Sequence, residues 1–76
     1  MPTVLQQDGF SFVIYTHDHH PPHVHVWNQG TVAVIEIDPV RIRKNRAMPK
    51  SEVQRAVQIV EDHQDFLLAE WQRIHR

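Results

Sequence analysis

Five of the seven histidines in this 76-residue chain fall within the nine residues from His17 to His25, with one aspartate among them. The segment reads Thr16-His17-Asp18-His19-His20-Pro21-Pro22-His23-Val24-His25-Val26. Imidazole nitrogens and a carboxylate are the donors that zinc and similar divalent transition metals accept. Side chains alternate along a strand, so His23 and His25 share one face about 7 Å apart while Val24 and Val26 take the other. Two imidazoles at that spacing can converge on one ion or one anion. Pro21 and Pro22 restrict the backbone before them and limit where His17, Asp18, His19 and His20 can stand. The expected metal ligands are His19, His23 and His25, the third ligand coming from the loop that presents His17, Asp18, His19 and His20 or, alternatively, from Glu36 or Asp38 on the neighbouring strand. Three protein ligands leave a position for water, as hydrolytic centres require.

The same residues support chemistry without a metal. Imidazole titrates near neutral pH, so neighbouring histidines can serve as base and acid in one turnover, as RNA 2′-OH transesterification requires. His23, His25, His19 and Asp18 form the expected catalytic set, and Arg41, Arg43, Lys44 and Arg46 would hold the phosphate. A third reading gives the histidines only packing or partner contacts. His63 is expected at the boundary of the core with one hydrogen bond. Trp27, Trp71, Phe10, Phe12 and Phe66 read as core or interface.

The elements that must position these groups are short. Val4-Leu5, the Asp8-Gly9 turn signal and the run Phe10 to Thr16 predict a hairpin over residues 3–16. His23 to Trp27, the turn Asn28-Gln29-Gly30 and the β-rich run Thr31 to Asp38 predict a second. From Pro49 the period becomes helical, with Val53, Ala56, Val57, Val60, Leu67, Trp71 and Ile74 on one stripe. The expectation is an α+β fold: a small antiparallel sheet of two hairpins (3–42), a basic loop (41–50) and one long helix (50–75) covering the sheet. The whole, residues 1–76, reads as a single domain.

Composition narrows the function classes. With 41% apolar and 22% charged residues the chain has globular proportions. Its longest apolar runs are four residues, far below the roughly 20 of a spanning helix. Zero cysteines exclude thiolate sites. The N-terminal stretch lacks the pattern of a signal peptide, and a cytoplasmic location is expected. Two glycines leave no room for a phosphate-binding loop or dinucleotide fingerprint, so no organic cofactor is expected. The net charge of −1 conceals a run of five cations between Arg41 and Lys50 without an acid. An isoelectric point near 6.6 argues against nonspecific coating of nucleic acid, but such a run can hold one or two phosphates.

The opening Met1-Pro2-Thr3-Val4-Leu5, the strand Phe10 to Tyr15, the run Asp18 to Val26, Asn45-Arg46 and Leu67-Leu68-Ala69-Glu70-Trp71 resemble a small bacterial family of unknown function, DUF4160. The most specific part is the core His19-His20-Pro21-Pro22-His23-Val24-His25. The resemblance implies a small prokaryotic protein often encoded beside a second small protein, as in toxin–antitoxin modules. A small partner protein is therefore expected. One function class is a toxin-like enzyme of such a module whose histidine-rich, metal-binding site acts on RNA or another phosphodiester. The alternative is a non-enzymatic binding or regulatory module, its histidines forming a structural metal site or an interface. Pairing of two copies through an open sheet edge is a third expectation.

Overall fold

The computed structural model describes residues 3–76, so Met1 and Pro2, part of the stretch that carries the resemblance, lie outside it. Five strands form one antiparallel sheet in sequential order: β1 (Thr3–Gln7), β2 (Phe10–Val13), β3 (His23–Asn28), β4 (Thr31–Ile37) and β5 (Val40–Arg46). Two helices follow, α1 (Lys50–Asp62) and α2 (Gln64–His75). The α+β class is as expected, but β2 also pairs with β3, and a fifth strand extends the sheet. The two hairpins are thus parts of one continuous meander. Both predicted turns are two-residue connections with positive φ at each position, 56° and 83° at Asp8-Gly9 and 49° and 82° at Gln29-Gly30. That is the type I′ geometry whose twist matches paired strands.

One face of the sheet packs on the helices. Phe10, Phe12, Val24, Val26, Ala33, Ile35 and Ile37 form a single buried cluster with Val53, Ala56, Ile59, Val60, Leu67 and Trp71. The second face carries Ser11 and Val13 on β2, the partners of Trp27 and His25 on β3. Across β4 the partners of His23, His25 and Trp27 are Glu36, Val34 and Val32.

The segment 41–50, expected as a loop, is mostly strand β5. A bulge between Val34 and Ile35 pairs Val34 with Lys44 but Ile35 with Ile42, leaving Arg43 as the extra residue. An inserted residue shifts the side-chain alternation by one. Arg41 and Arg43 before the shift and Lys44 and Arg46 after it therefore belong to the second face. Asn45 turns inward. Its amide donates to the Met48 carbonyl (2.9 Å) and accepts from the Met48 N–H (3.0 Å), closing the turn that leads β5 into α1.

The single long helix is corrected to two. The chain breaks at His63 (φ −116°, ψ 23°), although no glycine or proline interrupts the helical period there. Two side chains bind the break to the sheet: His63 Nε2 lies 3.0 Å from Gln7 Oε1, and the Gln64 amide donates to the Ile37 carbonyl at 2.8 Å. Half-buried His63 thus has the boundary role expected of it. Pro49 stands at the N-cap of α1, with Glu52 in the first turn accepting from the Asn28 amide at 3.0 Å. Asn45→Ala removes both side-chain bonds of the β5–α1 turn and is expected to lower unfolding free energy by about 1–2 kcal/mol, measurable by urea denaturation.

Candidate metal centre

Between β2 and β3 the chain makes a tight turn, with the Asp18 N–H donating to the Tyr15 carbonyl at 3.1 Å. The Asp18 carboxylate closes the same turn from the other side: Oδ2 accepts the Tyr15 N–H at 3.1 Å. Aspartate suits this place because its short side chain can satisfy a backbone donor within the turn. Oδ2 is thereby fixed beside the start of β3, 3.4 Å from Nε2 of His23 and 3.4 Å from Nε2 of His25. The three ligand atoms all lie within 4.8 Å of one another.

Each imidazole is oriented by its surroundings. His23 Nδ1 lies 2.9 Å from the Pro21 carbonyl, which can only accept, so Nδ1 carries the hydrogen of that bond and Nε2 is the nitrogen that faces Asp18. A ligating histidine typically gives its second nitrogen to such a carbonyl. His25 Nε2 is buried and has no hydrogen-bond partner. Burial pushes the His25 pKa below its ordinary 6.5, an effect opposed by the Asp18 carboxylate and reinforced by His23 and Arg43. A neutral His25 at physiological pH keeps its ligating lone pair free.

Aromatic rings wall the cluster. The Tyr15 ring meets His25 edge-on at 4.6 Å, and Trp71 of α2 packs on His23 at 5.2 Å. Trp71 also stacks on His75, whose ring nitrogens lie 2.8 Å and 3.1 Å from the carbonyl oxygens of Trp71 and Tyr15. Pro22 is tied in turn to β4, its carbonyl accepting from the Ile37 N–H at 3.0 Å. The C-terminal helix and both ends of the loop hold one small volume.

The structure brings the side chains of His23 and His25 together with that of Asp18, one of the loop residues, and these three groups could hold a metal ion. His19, expected as a metal ligand and as part of the catalytic set, is exposed and stands outside the cluster, as do His17 and His20. Glu36, an alternative third donor, is buried and committed to Arg41 and Arg43: its Oε1 accepts from Arg41 Nε and its Oε2 from Arg43 Nε at 3.0 Å. Asp38 is exposed in the turn before β5. The expected phosphate-binding set is thus divided. Arg41 and Arg43 neutralise Glu36, while Lys44 and Arg46 line a groove with His25, Trp27, Val32 and Val34. Trp27, expected in the core or an interface, is 40% exposed in that groove.

A family profile described as a domain of unknown function, DUF4160, matches residues 9–72, and the chain belongs to that family. No curated protein and no solved structure matches it. No helix among the described residues is long and apolar enough to cross a membrane.

The hydrogen bonds from Arg41 and Arg43 hold the Glu36 carboxyl below its ordinary 4.5. Below that ordinary value the unfolded chain takes up a proton at Glu36 before the folded chain does, so stability falls as pH falls through the folded pKa. Glu36→Gln is expected to lower stability at neutral pH and to flatten its decline in acid, read from urea midpoints between about pH 6 and about pH 3.

Proposed function

We propose that Asp18, His23 and His25 hold one divalent transition metal, zinc or a similar ion, and that the metal serves hydrolysis of a phosphodiester. The observation that carries this reading is the convergence of three donor atoms whose other contacts leave them free to ligate. A tetrahedral centre with bonds of about 2.0–2.1 Å has edges of about 3.3–3.4 Å. Both separations from Asp18 Oδ2 to the histidine nitrogens are 3.4 Å. Nitrogen and oxygen donors without sulfur fit zinc, cobalt or nickel better than copper(I).

Three protein ligands leave coordination sites for water and substrate. Held by Asp18, His23 and His25, such an ion would lower the pKa of a bound water and supply a nucleophile for phosphorus, and the proton the water gives up would balance the one the departing alkoxide takes. The groove beside His25 gives a phosphate access from the side of Lys44 and Arg46. Those two cations offset the charge that grows on the phosphoryl oxygens. The alternative, a structural metal in a binding module, draws on the packing of His23 against Trp71, since one ion would then tie the loop and β3 to the wall formed by α2.

Protein purified without a polyhistidine tag is expected to carry about one metal per chain by elemental mass spectrometry, and His23→Ala/His25→Ala to carry none. Zinc at about 100 times its Kd is expected to raise unfolding free energy by about 2.7 kcal/mol in the parent and not in the double variant. Absence of both effects overturns the metal site. Metal binding without hydrolysis of a labelled oligonucleotide selects the structural alternative.

A further inference from the structure

The second face of the sheet is closed at one end and open at the other. Val13, His23 and Glu36 are buried, whereas Trp27 on the same strand as His23 is 40% exposed. Between them the groove has an apolar floor of Val32 and Val34, with the Trp27 indole on one side and Lys44 and Arg46 on the other. The β5 ion pairs among the described residues belong to Arg41 and Arg43, which leaves the charge of Lys44 and Arg46 directed at the groove. A large exposed aromatic ring two strands away from two cations, with little acid between them, matches a ligand that is flat and apolar at one point and anionic at the next.

We infer that this groove binds single-stranded nucleic acid, with one base stacked on Trp27 and adjacent phosphates held by Lys44 and Arg46. The inference names the substrate class of the site proposed above and rests on that reading for cleavage, but not for binding. A base stacked on an indole must offer a free face, which an interior base of a duplex does not. Aromatic stacking tolerates every base, so this contact gives affinity without sequence preference. His25 and Trp27 are successive residues on the same face, about 7 Å apart by strand rise. A base on Trp27 therefore places a neighbouring phosphate within reach of His25 and the proposed metal.

The test is fluorescence anisotropy of fluorescein-labelled single-stranded RNA and DNA octanucleotides with the full chain and no added metal. Expected are binding of both single strands at about 50 mM salt, weaker binding of a duplex of the same length, and a log–log salt slope of about −1.4 for two phosphates. Trp27→Ala is expected to weaken binding about tenfold or more, and Trp27→Phe to retain most of it. Lys44→Gln is expected to flatten the slope by about 0.7. The parent protein is assayed with and without a chelator, its metal content being measured on the same preparation, and the oligonucleotide is expected to bind in both cases. Circular dichroism of each variant confirms that its fold is kept. No binding at that salt, binding indifferent to both Trp27→Ala and Lys44→Gln, or preference for duplex overturns the inference. Metal loss with binding intact speaks only to the centre at Asp18.

Discussion

The register of β3 is the constraint on which the other features depend. Val24 and Val26 are fully buried against the helices, and a slip of one residue would bring them to the other face and bury His25 and Trp27 in their place. The apolar demand of the core therefore fixes His23, His25 and Trp27 as one row. It also fixes their neighbours, because the pairing with β4 sets Glu36, Val34 and Val32 opposite that row in the same order. The candidate centre and the open groove are two ends of a single line of side chains. The hydrophobic effect sets that line without regard to its chemistry.

A row of histidines becomes a site only when another element supplies the third donor. That donor comes from the turn at Tyr15 to Asp18, where one carboxylate oxygen both closes the turn and faces the two imidazoles. A buried carboxylate is costly unless it is paired, and Glu36, the nearest acid across the sheet, is satisfied by two arginines. The two acids near β3 thus have separate partners. One is neutralised within the sheet, and the other is left to the histidines.

Much of this arrangement is legible in the residues, and the exceptions have local causes. The turns at Asp8-Gly9 and Gln29-Gly30 and the alternation through His23 to Trp27 report their structure directly. The helix break at His63 does not, since the apolar stripe continues across it and the break is held by long-range bonds to Gln7 and Ile37. Val40 and Ile42 were legible as the end of the sheet, but the continuation of β5 through Arg46 was hidden by its charge, because a run of cations reads as a solvated loop unless an edge strand beside Glu36 is foreseen. The bulge at Arg43 then shifts the alternation, which no spacing rule reveals. The loop was legible as a source of a third donor, but not which of its residues faces β3, because Asp18 and His19 are neighbours and only the turn decides between them. For Trp27 the residue type left core and interface open, and its exposure follows from its position at the uncovered end of the sheet.

The distribution of charge bears on how such a surface selects its ligand. The chain is nearly neutral overall, so long-range attraction of polyanions is weak and salt screens what remains. Elsewhere the charges are paired locally, Asp8 with Arg55 and Glu70 with Arg73, at exposed positions where such pairs contribute little stability. Lys44 and Arg46 instead face a groove with an apolar floor, where a bound phosphate would be partly shielded from water and the interaction strengthened. Selection would then depend on a ligand meeting the indole, the two cations and the donor cluster at once. A polyanion that offers charge alone would gain little from this surface.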